Sequence, residues 1–262
     1  MSATVATQMI GADFLKLRKR RGTIAWSLLL AIAPLLIYFV VSAAQHSSNP
    51  VEHPPAGGVN GYQDALRIVA VFFAPIAAIL IGTDAGAGDA SAGVFRDLVV
   101  TGRSRLALFA TRVPAAIGLT WLVATLAYVL VVIGTLAFAG GGSNPSASTF
   151  VNGYLFTLLS TGVICAVAVG LSSLTASRPG ALVALIAWQL IASPILTNIS
   201  SLGSARDLVL REAIDHFSPI GLGDGHGGGR VTMAGGTGLV VIVVWLAVFL
   251  ALGAWRTRTM DA

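Results

Sequence analysis

Asp84 and Asp89 close the uncharged run 68–83 and are the nearest this chain comes to acids within a membrane. At mid-bilayer such carboxylates can bind a cation or relay a proton; at the end of an apolar run they stop a helix and pair with arginines. Their place at the end of the run favours the second role. Arginines are close by, because 93–112, GVFRDLVVTGRSRLALFATR, carries Arg96, Asp97, Arg103, Arg105 and Arg112 between two long apolar stretches. Phe95, Leu98, Val99 and Leu106 recur at about helical spacing, and Asp97, Thr101 and Arg105 make a second stripe, which predicts a short amphipathic helix. One face would lie on packed helices or headgroups, and the other would meet water or a protein partner.

Other chemistry finds no residues to carry it. A loop that grips nucleotide phosphates needs Gly-Lys followed by Ser or Thr. The only lysines are Lys16 and Lys19, neither after glycine, so the glycine-rich 221–230 reads as a flexible connector. Asp215, His216, Asp224 and His226 lack a recognised ligand spacing, so no metal site is expected. No nucleophile elbow and no mid-membrane carboxylate pair is present, and no catalytic residue is assigned. The single cysteine, Cys165, lies inside an apolar run, which excludes an intrachain disulfide and suits a small buried core residue.

The elements that must hold these charges are membrane spans. With 55% hydrophobic and 10% charged residues in 262, and a mean hydropathy of +0.84, an ordinary globular protein is excluded. The fold class is all-α: a polytopic membrane protein of six transmembrane helices, at about 24–44, 65–87, 113–139, 152–177, 180–199 and 236–255. They form one transmembrane domain, 23–262, preceded by a cytoplasmic segment, 1–22. In that segment Ala6, Met9, Ile10, Phe14 and Leu17 can share a helical face ahead of a basic cluster. It reads either as an amphipathic helix lying in the interface on anionic lipid or as a plain positive flank of span one.

Pro50, Pro54, Pro55, Gly57 and Gly58 mark 45–61 as a loop, and Pro75 is expected to bend span two. Gly140–Ser148 separates spans three and four, and Arg178 with Pro179 is expected to end span four. Gly162, Ala166 and Gly170 form a small-residue stripe on span four that would admit a neighbouring helix closely. Between spans five and six, Ser204–Phe217 is predicted as one helix capped by Ser204, within a polar external loop. Arginines and lysines at 16–21, 96–112, 178 and 256–258 fall on one side, against Arg67, Arg206, Arg211 and Arg230 on the other. That asymmetry places both termini in the cytoplasm, and basic residues beside spans are topology signals rather than a nucleic-acid footprint.

A basic amphipathic N-terminal segment, six spans, a charged segment after span two and an extended external segment before span six resemble permease subunits of the ABC-2 type transporter family. The likeness covers nearly the whole layout and is sharpest at 79–114, ILIGTDAGAGDASAGVFRDLVVTGRSRLALFATRVP. It implies that Asp89 is the acidic residue ahead of a coupling helix, 93–100, with Gly93, Phe95, Arg96, Asp97 and Leu98 on it. Thr101, Gly102, Arg103, Ser104 and Arg105 would be the basic turn after it. This chain has Asp where Glu is commoner in that family, and Val94, Phe95 and Arg96 depart from its usual run. The resemblance further implies a second permease subunit, as homodimer or heterodimer, in the cell membrane, and a separate ABC ATP-binding subunit holding ATP and Mg. Export would then be the function; few polar side chains lie in the spans beyond Gln189 and Asn198, which leans towards an amphipathic drug, antibiotic or lipid. The residues alone also admit an ion- or proton-coupled carrier, or a non-transporting immunity or anchor protein.

Overall fold

Six apolar stretches become six helices long and apolar enough to cross a membrane in the computed structural model, which describes residues 3–91, 93, 104–220 and 233–259. They are Arg21–Ser48, Gly58–Asp89, Arg105–Ala137, Ala147–Thr175, Arg178–Asn198 and Gly235–Thr259, here spans one to six. Among the described residues no strand occurs. A backbone in hydrocarbon must satisfy its own hydrogen bonds, and the helix does so within one segment. Spans two and four are the most buried and pack on each other; one, five and six lie outside them.

Small residues set the closest approach. A Cβ on Gly82 would sit 2.6 Å from the Cys165 carbonyl, and one on Gly86 would meet the Val169 carbonyl at 2.5 Å. The stripe against span four is therefore on span two. The span-four stripe itself is divided: Gly162 faces the Trp121 ring of span three, while Gly170 lies against Gly253 and Phe249 of span six. At the end of the bundle away from Asp84 and Asp89, tyrosines tie spans two, three and four together. Tyr62 and Tyr128 hydroxyls are 2.9 Å apart, and Tyr62 also donates to the Thr149 carbonyl at 3.1 Å.

Several boundaries move from the sequence expectation. Span one continues to Ser48 and span two opens at Gly58, so each takes residues from the predicted 45–61 loop. Span three starts at Arg105, capped by Ser104, whose side chain accepts from the Ala107 N–H at 3.2 Å. Ser104 is extended, with φ −66° and ψ 139°, so Arg105 and Leu106 belong to span three, which begins after it. Span four already ends at Thr175, and Arg178 and Pro179, expected to end it, open span five instead. Proline fits the first turn, where its missing N–H has no helical partner to lose.

Pro75 acts one turn upstream of itself. Residues Arg67–Phe73 are wound as π-helix, and the Ala74 N–H reaches back to the Val69 carbonyl. That register leaves the Ala70 carbonyl without its usual N–H, and Pro75 has none to give Val71. Ser160 of span four donates to Ala70 O at 2.9 Å, and Gln189 of span five donates to Val71 O at 3.3 Å. Span five repeats the pattern, with Trp188–Ala192 in π-helix just before Pro194.

The segment after span five is not one helix. Ser200–Leu208 is a 3-10 segment kinked at Gly203 (φ 51°), Val209 is extended, and a short helix follows at Leu210–Asp215. It folds back along span six: the Trp245 indole donates to the Leu208 carbonyl at 2.9 Å, and His216 comes up beside Gly235. Ten residues of helix separate Gly235 from Trp245, so the arm descends about 15 Å into the bundle before returning. Leu210, Ala213 and Ile214 are buried there, because their apolar side chains face spans rather than water.

Candidate functional site

Helix ends from distant parts of the chain meet around Asp84 and Asp89, both 2% exposed on the last turns of span two. Asp84 receives the Arg20 guanidinium, the Thr23 hydroxyl at 2.5 Å and Arg178 Nε at 3.2 Å. Asp89 receives Lys16 Nζ at 2.6 Å and Arg112 Nη2 at 2.9 Å. Four cations from the N-terminal helix, the start of span one, span three and the start of span five thus converge on two carboxylates. Charged side chains out of water require such partners, since an unpaired buried charge costs several kcal/mol.

The backbone makes room for this cluster. A Cβ on Gly88 would come within 2.6 Å of the Arg20 guanidinium, so glycine there lets the arginine cross span two. Arg112 Nη1 also reaches the Gly86 carbonyl at 3.5 Å, and Ser173 of span four donates to that carbonyl at 3.2 Å. Arg178 Nη2 lies 3.3 Å from the Thr23 hydroxyl, closing a ring of contacts between spans one, two and five.

The N-terminal helix, Ala3–Lys19, docks on span three through one face. Leu17 is buried, Ala6, Met9, Ile10 and Phe14 are partly covered on that face, and the Phe14 ring lies against Gly118. Thr111 donates to Asp13 Oδ2 at 2.8 Å. Burial raises the Asp13 carboxyl above its ordinary value, and this outweighs the lowering effect of Thr111, Lys16 and Arg112. The helix is therefore anchored at two points, Asp13 on span three and Lys16 on span two.

Of the residues assigned to coupling, Asp89 lies at the centre of the cluster. Gly93 adopts a turn with φ 72°, left-handed backbone that glycine takes without strain. Arg105 begins span three and donates to the Arg258 carbonyl at 3.3 Å, bringing the last turn of span six to the same end. Phe95, Arg96, Asp97, Leu98, Thr101, Gly102 and Arg103 lie outside the described residues, as does the connector 221–230.

Reasoning from sequence missed Lys16, Arg20, Arg112 and Arg178 as specific partners, although pairing of the two aspartates with nearby arginines is seen. The available signal was charge balance: two acids at a helix end need cations, and these four lay on the same predicted side. Which ones arrive depends on helix packing. Cys165 is fully buried and accepts from the Thr120 hydroxyl at 3.3 Å, in keeping with a core role. Among the described residues no group of His, Cys, Asp and Glu is arranged to hold a metal ion. No family model matches the chain, and comparison with curated proteins finds no match.

Proposed function

We propose that this chain is the membrane permease subunit of an ATP-driven exporter of the ABC-2 type. It pairs with a second permease subunit, through the apolar outer faces of its spans, and with separate ATP-binding subunits that hold ATP and Mg. Its cargo is an amphipathic compound such as a drug, antibiotic or lipid. Both termini and the segment 92–103 then face the cytoplasm of the cell.

The observation that carries this reading is the buried charge cluster at the root of that segment. Asp89 lies four residues before Gly93, and Arg112 lies seven residues after Arg105. The two ends of the segment are therefore tied to each other by the Asp89–Arg112 pair and to the N-terminal helix by Lys16. A force applied to the segment by a partner would pass into spans two and three together, and through Asp84 into spans one and five. Buried ion pairs suit this task because they transmit displacement with little slack and fail only at large cost. An ion-coupled carrier receives less support, since each carboxylate is held by two cations at a helix end rather than left open at mid-depth.

The test is purification of the chain with its cognate ATPase. Reconstituted export should stop when ATP is withheld, and the chain alone should hydrolyse none. Exchanging charges in the segment, Arg96→Glu with Asp97→Arg, keeps net charge and topology signals but should weaken ATPase binding or uncouple it from export. Loss of a desolvated interface pair costs about 2–5 kcal/mol. Export driven by a proton gradient without any ATPase would overturn the proposal.

A further inference from the structure

Beneath the inward-folded arm lies a cavity of about 250 Å³ bordered by the arm and by spans two, four, five and six. Its walls are apolar, formed by residues such as Ile79, Val167, Leu171, Leu185 and Phe249. Two polar side chains join them, Gln189 and Arg211. Spans five and six meet here mainly through the Trp188 and Trp245 rings, 5.5 Å apart, rather than by backbone packing. Ala184 on the lip is exposed, and neighbouring Val183 is 66% exposed, so in a bilayer the opening faces acyl chains.

The two polar groups define the ligand. Arg211 meets Asp215 at 3.5 Å and lies over the Phe72 ring at 5.4 Å. A guanidinium has five N–H donors, and these contacts leave donors over; charged groups at this depth are commonly functional. Gln189, 8% exposed, gives one N–H to Val71 O and has a second. The site therefore offers donors. Asp215 faces Arg211 and Glu212 adds a further acid beside it; burial pushes both carboxyls up, Asp215 to about 7, so above that pH the charge of Arg211 is compensated and an anionic head gains nothing. A cavity of about 150 Å³ holds benzene, which scales to roughly ten non-hydrogen atoms here.

We propose that this cavity is a binding site for an uncharged, elongated apolar molecule with a carbonyl-type acceptor, entering sideways between spans five and six. Its oxygen accepts hydrogen bonds from Arg211 and Gln189, and its tail lies among the aliphatic walls. This goes beyond the exporter reading, and its test uses the chain without any partner, so the two can fail separately.

Trp188 and Trp245 serve as reporters once Trp26, Trp121 and Trp255 are replaced by phenylalanine. The full chain in dodecyl maltoside micelles is titrated with ω-bromohexanoic acid methyl ester, which has the roughly ten non-hydrogen atoms the cavity admits, with bromohexane, and with the free ω-bromohexanoate, whose heavy atom quenches indole fluorescence. The ester should quench saturably, at a concentration about tenfold or more below either comparison, since a hydrogen bond from a charged donor is worth about that factor. Ala184→Phe at the exposed lip should remove the saturable component. Arg211→Gln should bring the ester to the level of the bromoalkane without changing the latter. Equal, unsaturable quenching by all three probes would overturn the site, as would an undiminished saturable phase in Ala184→Phe. The three-probe comparison needs no change at Arg211, so it decides the matter even if that variant fails to fold.

Discussion

Asp89 and Arg112 are 2% and 5% exposed at their side chains, which makes their pair the most enclosed of the cluster. Removing Arg112 leaves buried Asp89 with the more exposed Lys16 as its counter-charge and so partly strands it, and breaking a buried pair usually costs about 3–5 kcal/mol. Arg112→Leu should therefore lower the thermal unfolding midpoint of the purified protein sharply, while Asp89→Asn with Arg112→Leu should recover much of the loss. A double variant as unstable as the single would show that the stranded charge is not the cause. Asp13 titrates in the opposite sense to a carboxylate stabilised by ion pairing. Its carboxyl is raised by burial against span three, so the docked helix binds a proton more readily than the undocked one. By linkage, the stabilisation of docking from protonation is complete below the ordinary value of 3.8 and is lost as pH rises through the raised one. Thiol labelling of Met9→Cys in a Cys165→Ala background should thus slow as pH falls through that window, after correction for thiolate concentration. Asp13→Asn should abolish the dependence.

Helices that cross a membrane tolerate proline because neighbours take up the freed backbone groups. Span two is a worked case, with the Ala70 and Val71 carbonyls met by Ser160 and Gln189. The side chain of Gln189 thereby locks span five to the break in span two. Gln189→Leu leaves the Val71 carbonyl unsatisfied, a penalty of about 1–3 kcal/mol. In a Pro75→Ala background the new N–H can serve that carbonyl from within the helix. The same Gln189→Leu change should then cost markedly less, and a thermal-stability double-mutant cycle measures the difference. Additive effects would mean that Gln189 stabilises the bundle by another route.

Over the whole molecule, the basic helix ends gather at one end of the bundle. Arg20, Arg112 and Arg178 surround the two aspartates, and Arg105 reaches Arg258. The positive-inside tendency turns this polarity into an orientation. Single cysteines at Ser48 and Asn144, both exposed at the opposite end, should react with an impermeant thiol reagent on whole cells in a Cys165-free background. One at Ser104 should react only after permeabilisation. Labelling of Ser104 alone would invert the molecule and remove the segment after span two from the reach of any cytoplasmic ATPase.

Six spans, their approximate limits and the segregation of arginines were legible in the chain because hydrocarbon imposes a length and a polarity that local composition must meet. The pairing of Asp84 and Asp89 with arginines could be anticipated for the same reason, as charge at a span end needs a counter-charge. The partners could not: Lys16 and Asp89 are separated by 73 residues, and only packing of the N-terminal helix brings them together. Pro75 announced a disturbance, but whether it became a kink or a π-turn depended on donors from spans four and five. The inward-folded arm was hidden most completely. Its arginines and acids read as an external polar loop, since local sequence records polarity and not depth. Burial of Leu210, Ala213 and Ile214 against span six, with Arg211 held by Asp215 and Phe72, is what draws those charges into the bundle.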